Sequence, residues 1–201
     1  MDDLTQVKYS DTFFTDKYTI CGVRLKDFCL GHLILLEFIN NPLIKTDKLD
    51  LDIVDGTFNF FMALLICSLS YEDGEKLITD PDLLNEEMNK FSDNLKKNMD
   101  LDPKWNIVSK IDLFKQYMGV HLDMPLYDNK QKSSGEDQSG NDWKTSIFLV
   151  FKKMDYSESA VLNMNIKRLF NLWAAYAESE GAIRLMNKYD VQAVKSLKKF
   201  N

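Results

Sequence analysis

The sequence predicts a mainly α-helical protein, a compact multi-helix domain with one short β-hairpin near the N-terminus. Three observations lead to this prediction. Apolar residues recur three and four positions apart over most of the chain, which places them on one face of a helix. Asparagine, aspartate and proline stand where these patterns begin and end, as helix caps and breakers do. The composition, 45% hydrophobic and 28% charged over 201 residues, is that of a chain able to bury a core.

The first predicted elements are the hairpin and an amphipathic helix. Residues 18–25 combine β-branched and apolar side chains with a central Cys-Gly pair, which favours two short strands or an extended entry segment. A helix is predicted over residues 26–39. The Asn-Asn-Pro sequence that ends at Pro42 should terminate it, because proline disfavours the helical conformation in the residue before it.

The most apolar predicted helix covers residues 56–70. It is apolar nearly all round, so it should be the buried centre of the fold. Asp55 is predicted as its N-cap, and the polar segment before it, residues 45–55, is either a short strand or a loop. The apolar run is about thirteen residues long, whereas a bilayer needs roughly twenty, so no membrane association is predicted.

The next elements are a turn and two further helices. The Tyr-Glu-Asp-Gly sequence at residues 71–74 is predicted to be the turn. A helix is predicted over residues 81–98, where Asp80 is a suitable N-cap and proline occupies the first turn. Residues 103–118 carry apolar side chains at helical spacing and are predicted to form the other helix.

A change in composition divides the chain. Residues 128–142 contain no apolar side chain, which predicts a flexible polar loop over residues 127–142. A helical main body at residues 1–126 would precede this loop. C-terminal helices at residues 143–201 would follow it and pack on the main body.

Three helices are predicted in the C-terminal part, over residues 143–154, 165–180 and 190–200. The middle helix has the strongest amphipathic pattern of the chain, with Asn171 mostly off its apolar face. Gly181 need not end this helix, because an internal glycine costs only about 1 kcal/mol relative to alanine. The five residues after it are also compatible with a helix.

Charge and motifs argue against several classes of function. The formal net charge is −6, so the chain has no overall positive field to attract nucleic acid. The four lysines within residues 188–199 are interpreted as a solvated helix face. Neither glycine-rich phosphate-binding motif occurs, and the acidic N-terminus lacks the pattern of a signal peptide. The sequence therefore predicts a soluble intracellular protein that binds no nucleic acid and no nucleotide cofactor.

The cysteines and histidines predict neither a metal site nor a catalytic site. The chain has three cysteines and two histidines, and no cysteine pair has the CxxC spacing of a zinc site. Cys29 and His32 are three residues apart in an apolar helix, where a cysteine is far more often part of the core than a nucleophile. His32 is interpreted as a satisfied, half-buried side chain. No cofactor and no enzymatic activity are predicted.

Three segments together resemble a known family. They are LGHLILLE at residues 30–37 with NP at 41–42, ALLICS at 63–68 with YE at 71–72, and LWAAYAESEG at 172–181. These segments resemble those of the tail assembly chaperones of tailed bacteriophages. The resemblance covers about half of the chain, and the polar loop and the lysine-bearing C-terminus have no counterpart in it.

This resemblance implies a helical, non-catalytic protein in the cytoplasm of a bacterial host cell. Such a protein would stabilise the aggregation-prone tape measure protein and recruit tail tube subunits during tail assembly. Its abundant methionine and aromatic residues would suit an apolar groove for an amphipathic client helix. The sequence leaves open a homo-oligomer and two other functions: a structural component of the virion, and a small phage protein that binds and inhibits a host protein.

Overall fold

The computed structural model describes residues 18–44, 53–100, 106–122, 127–129 and 143–185. Over these ranges the protein is mainly α-helical with a short hairpin near the N-terminus, as predicted. The helices are α1 (Leu30–Phe38), α2 (Ile53–Ser68), α3 (Tyr71–Thr79), α4 (Pro81–Asp100), α5 (Ile107–Leu122), α6 (Trp143–Lys153), α7 (Glu158–Leu162) and α8 (Ile166–Ser179), with a short 3-10 helix at Pro42–Ile44. The strands are β1 (Thr19–Ile20), β2 (Val23–Arg24), β3 (Tyr127–Asn129) and β4 (Ile183–Leu185). None of the helices within the described ranges is long and apolar enough to span a bilayer.

The predicted N-terminal hairpin is confirmed. Strands β1 and β2 pair antiparallel, with Ile20 opposite Val23. Cys21 and Gly22 between them have φ angles of 53° and 78°. Positive φ at both central positions is the conformation that matches the right-handed twist of a two-residue hairpin.

Helix α1 begins later than predicted and ends where expected. The backbone N–H of Lys26 donates to the Cys67 carbonyl at 2.9 Å. The chain at the predicted start of α1 is therefore hydrogen-bonded to α2 and is not yet helical. Cys29 is the N-cap, with an extended backbone. The helix ends at Phe38, shortly before Pro42, and Asn40 has a φ of 53°.

Helix α2 is the buried centre, as predicted. Eight consecutive residues, 60–67, are buried, and the aromatic rings of Phe28, Phe60, Phe114 and Tyr117 cluster beside it at centroid distances of 5.5 to 6.2 Å. The prediction that Asp55 is the N-cap is wrong, because the helix already begins at Ile53. The predicted strand or loop before it lies mostly outside the described residues, at 45–52.

The predicted turn at residues 71–74 is wrong, because this segment is the first turn of α3. The Ser70 side chain accepts a hydrogen bond from the Asp73 backbone N–H at 3.2 Å and caps the helix. The next prediction is confirmed. The Asp80 carboxylate accepts from the backbone N–H groups of Asp82 and Leu83, both at 3.1 Å, at the start of α4.

Helix α5 is shifted by about one turn from its predicted range of 103–118. Asn106 sets its start, since its side-chain oxygen accepts from the Val108 backbone N–H at 2.9 Å. The predicted first residues, 103–105, lie outside the described part of the chain.

The chain forms two units. Among the described residues, the large unit consists of 18–44, 53–100, 106–122 and 162–165, and the small unit of 127–129, 143–161 and 166–185. The large unit therefore includes a short segment, residues 162–165, from the C-terminal part of the chain.

Strand β3 corrects the predicted loop of residues 127–142. Its three residues pair antiparallel with β4, with Asp128 opposite Arg184. The loop therefore does not begin at residue 127, and residues 130–142 lie outside the described part. The polar residues that follow Tyr127 have no hydrophobic periodicity. The local pattern therefore could not reveal a strand whose partner is more than fifty residues away along the chain.

In the small unit, α6 packs on α8, which packs on β4. The Trp143 and Phe170 rings are 5.1 Å apart. Ile147 and Phe151 of α6 are buried, whereas Phe148 and Val150, which the apolar pattern also predicts to be buried, are partly exposed. Asn171 was expected mostly off the apolar face of α8, but it is buried, with 7% of its surface exposed.

Gly181 ends α8, contrary to the prediction that the helix could continue through it. Its φ is +73°. Its N–H donates to the Glu178 carbonyl and the Ala182 N–H donates to the Ala177 carbonyl, both at 2.9 Å. This pair of bonds is the Schellman motif, in which glycine supplies the left-handed residue after the helix. The predicted helix at residues 190–200 lies outside the described residues.

Substitution of Gly181 should reveal this role. A Cβ at this position would meet no atom within 4 Å, so the cost of Gly181→Ala is backbone strain alone, about 1–2 kcal/mol of unfolding free energy. Gly181→Asn should cost clearly less, because asparagine tolerates the left-handed conformation. Urea unfolding followed by circular dichroism measures both, and equal stability of the alanine and wild-type proteins would contradict the assignment.

Candidate functional site

The first two segments of the resemblance meet in the large unit. The start of α1 lies against the end of α2, where His32 joins them. The Cys29 backbone N–H donates to His32 Nδ1 at 3.3 Å. Since Nδ1 accepts, the proton of a neutral ring lies on Nε2, which donates to the Leu69 carbonyl at 2.9 Å. His32 is satisfied, as expected, but it is fully buried rather than half-buried, with 1% exposed.

Cys29 and His32 form a helix cap. The Cys29 sulfur accepts from the His32 backbone N–H at 3.4 Å, so the two residues cap the N-terminus of α1 reciprocally. Both ring nitrogens bind backbone groups. Burial raises the pKa of the Cys29 thiol to about 11, which keeps it protonated at neutral pH. An imidazole that activates a thiolate needs the opposite arrangement, with a ring nitrogen at the sulfur and a lowered thiol pKa.

A second buried thiol lies next to the aromatic cluster. Burial raises the pKa of the Cys67 thiol well above its ordinary value. Tyr117 donates its own proton to the Lys26 carbonyl at 2.7 Å, and burial likewise raises its pKa. These groups join α5 to the segment before α1, which is a structural task.

The raised pKa values predict unequal cysteine reactivity. At about pH 8 a thiol of pKa 11 has roughly one hundredth of the thiolate of a thiol at the ordinary value of 9.0. Iodoacetamide should therefore label the partly buried Cys21 first and Cys29 and Cys67 last. Mass spectrometry of labelled native protein checks the order of labelling, which a Cys29 labelled as fast as Cys21 would contradict.

The raised pKa of Cys29 also predicts a pH dependence of stability. Because the folded thiol keeps its proton up to about pH 11 while the unfolded one loses it near pH 9, the free energy of unfolding should fall as the pH rises between these values.

A polar junction closes the same end of the large unit. The Asn163 side-chain oxygen accepts from the Tyr71 backbone N–H at 2.9 Å. Its amide nitrogen donates to both carboxylate oxygens of Glu72, at 3.0 and 2.9 Å. The role of Asn163 could not be predicted from the sequence, because no local pattern marks a contact across more than ninety residues. The third segment of the resemblance, residues 172–181, belongs to the small unit, on α8 and its cap.

Four helices of the large unit form one packed group. Helix α1 packs on α2 and α3, and α4 packs on the same two helices. Gly31 lies against Tyr71, and Gly74 lies against Leu35, so α1 and α3 run in the same direction. His32 contacts the end of α2, so α2 runs in the opposite direction. Helix α4 starts directly after α3 and runs back. One end of the group therefore holds the last residues of α1 and α3 and the first residues of α2 and α4.

Asn41 fixes the chain at this end. It is fully buried, its amide nitrogen donates to the Asn59 carbonyl at 2.8 Å, and its oxygen accepts from the Leu43 N–H at 3.0 Å. Phe38 lies one turn before Asn41, and Phe58 directly precedes Asn59. The two phenylalanines consequently lie at the same end of the α1–α2 pair.

Large apolar side chains are exposed in both units. In the described part these are Phe38, Phe58, Val108, Leu113, Val120, Trp143, Leu149 and Met154. Phe38 and Phe58 are exposed over 68% and 57% of their surface. Scattered exposed apolar residues are normal, whereas large apolar groups near one another mark interaction surfaces. We call the end of this four-helix group at which Phe38 and Phe58 lie the phenylalanine end.

Comparisons of the chain with protein-family models, with curated proteins and with solved structures found no match.

Proposed function

We propose that this protein acts without catalysis as an assembly chaperone, and that its clients are the tape measure and tail tube proteins of a tailed bacteriophage. The observation that carries the proposal is the pair of exposed phenylalanines on neighbouring helices. Aromatic side chains bury a large apolar area when a partner covers them. A chaperone requires such a surface because it must shield apolar segments of its client.

The contacts of the candidate chemical residues agree with this proposal. Cys29 and His32 bind the backbone and each other as a cap, and the Cys67 thiol is fully buried in α2. The contacts of His32 and Tyr117 join α1 to the end of α2 and α5 to the segment before α1. The resemblance of residues 30–37, 63–72 and 172–181 to tail assembly chaperones supplies the identity of the proposed clients.

Co-expression tests this function. The tagged full-length chain is produced with the tape measure and tail tube proteins of its own gene cluster, and proteins that co-purify are identified by mass spectrometry. We expect the tape measure protein to be in a soluble complex with this chain when the two are co-expressed. Expressed alone, it should be in the insoluble fraction. Recovery of a host protein and neither phage protein would overturn the proposal in favour of a host inhibitor.

Analysis of purified phage particles separates a chaperone from a virion component. A chaperone leaves when assembly is complete, so its peptides should be missing from particles in which tail proteins are abundant. A stoichiometric amount of this chain in the particles would overturn the chaperone proposal and identify a structural component.

A further inference from the structure

We propose that His32 makes the junction between α1 and α2 sensitive to mild acid, because the folded chain accommodates only the neutral imidazole. This inference goes beyond the proposed function and does not depend on it. His32 lies in the first turn of α1 with 1% of its surface exposed. Histidine is the side chain that ordinarily changes charge between about pH 5 and about pH 8, so the hydrogen bonds of this ring decide how the junction responds to acid.

The response comes from the Nδ1 atom of the ring. In the neutral ring Nδ1 accepts from the Cys29 backbone N–H at 3.3 Å, while Nε2 donates to the Leu69 carbonyl at 2.9 Å. An imidazolium carries a proton on both nitrogens and accepts at neither. Its Nδ1–H would point at the Cys29 N–H, so two donors would face each other in a buried place. Protonation therefore removes one half of the reciprocal cap that begins α1.

Three other buried groups near the junction stay neutral in acid. Burial raises the pKa of the Cys29 thiol to about 11 and that of the Cys67 thiol well above its ordinary value. Burial also raises the pKa of the Tyr117 hydroxyl, which donates to the Lys26 carbonyl. All three keep their protons in mild acid, so a change of charge in this buried cluster falls to His32.

The charged groups on the elements that pack on α1 are exposed or remote. Helix α2 carries one, Asp55, at its other end, whereas the 3-10 helix and residues 162–165 carry none. Glu37 lies in the last turn of α1. Exposed charges lie on α3 and on the segment before α1: Glu72, Asp73, Glu75, Lys76, Lys26 and Asp27.

Glu72 is the carboxylate that acts on the capping residue Cys29, and its charge favours an imidazolium. Because Glu72 is exposed, water screens this attraction. The opposing costs arise in the buried interior, where a charge loses its hydration and the Cys29 N–H loses its acceptor. The buried costs are the larger, and the folded chain favours the neutral ring.

Stability should consequently fall in mild acid. An unfolded chain takes up a proton on His32 below about pH 6.5, the ordinary value for histidine, whereas the folded chain excludes it. The unfolded state then binds more protons, so the equilibrium constant for folding falls as the pH drops. At about pH 5.5 this constant should be about tenfold lower than at about pH 7.5, which corresponds to about 1.4 kcal/mol.

Two variants assign the acid response. The chain has two histidines, so His121→Gln leaves His32 as its one histidine and is the matched control. Urea unfolding at about pH 7.5 and about pH 5.5 should show the tenfold loss for the wild type and for His121→Gln. His32→Gln should be less stable than wild type at the higher pH, but its equilibrium constant should change clearly less between the two values. An equal change in the two variants would overturn the proposal.

NMR of the His121→Gln protein tests the ring directly and needs no variant of the junction. Long-range proton–nitrogen spectra distinguish a protonated ring nitrogen from an unprotonated one. In the folded protein at about pH 5.5, one unit below the ordinary histidine value, Nε2 should carry a proton and Nδ1 should not. A ring that is protonated on both nitrogens in the folded protein at this pH would overturn the proposal, whatever the stability of His32→Gln.

Discussion

Replacing His32 with alanine should lower the free energy of unfolding by about 4 kcal/mol. The imidazole accepts from the Cys29 N–H and donates to the Leu69 carbonyl. Without it, both backbone groups lose a partner, and a buried group left unsatisfied costs about 1–3 kcal/mol. The lost ring also leaves a cavity among the buried residues of α1, which adds to the cost.

Urea unfolding monitored by circular dichroism measures this effect. His32→Gln is the graded control, because the glutamine amide retains one donor and one acceptor near the lost ring nitrogens and should recover part of the stability. Cys29→Ser should cost about 1 kcal/mol or less, since serine is itself a good N-cap. A His32→Ala protein within 1 kcal/mol of wild type would show that the ring does not join α1 to α2.

Local sequence signals predicted most of the helices and the hairpin. The Cys-Gly pair gave the turn between β1 and β2, Asp80 gave the start of α4, and the apolar run around residues 60–67 gave the buried centre. Each of these features depends on residues within a few positions of one another. Such short-range physics is readable in a single sequence.

Two incorrect predictions concern segments that carry a local capping signal. The Tyr-Glu-Asp-Gly segment was interpreted as a turn, but Ser70 before it with Asp73 three residues later is the pattern of a capped helix start. The modest helix-propensity cost of an internal glycine makes a helix through Gly181 acceptable. A glycine after an amphipathic helix is, however, also the usual residue of a Schellman cap. In both cases the alternative capping rule predicts the observed structure.

The candidate site was beyond local prediction. The contacts of His32 with Leu69 and of Asn163 with Tyr71 join residues 37 and 92 positions apart. The sequence does not predict that Phe38 and Phe58 are exposed, because which side of an apolar helix face stays exposed depends on the helices that pack on it. The phenylalanine end exists because four helices align, and no single helix pattern contains that information.

Replacing Gly31 should have an effect as large as the loss of His32, through the opposite cause. A Cβ on Gly31 would lie 2.6 Å from Tyr71 Cδ2, 2.8 Å from Tyr71 Cβ and 2.9 Å from the Leu162 carbonyl oxygen. Two of these three atoms are held close to or within the backbone, so a rotation of one side chain cannot relieve the overlap. Helix α1 and the chain against it must separate, which should cost about 3 kcal/mol or more for Gly31→Ala.

Two other helical glycines, Gly74 and Gly119, give matched controls for this prediction. At Gly74 the added Cβ would meet only Leu35 Cδ1, at 2.7 Å, and the end of a leucine side chain can rotate away, so Gly74→Ala should cost clearly less. At Gly119 nothing lies within 4 Å, and alanine should stabilise α5 by about 1 kcal/mol through its higher helix propensity. Urea unfolding should therefore rank the alanine variants in the order Gly119, Gly74 and Gly31, from most to least stable. If Gly31→Ala were as stable as Gly74→Ala, the close approach of α1 to Tyr71 and Leu162 would not be a constraint on this fold.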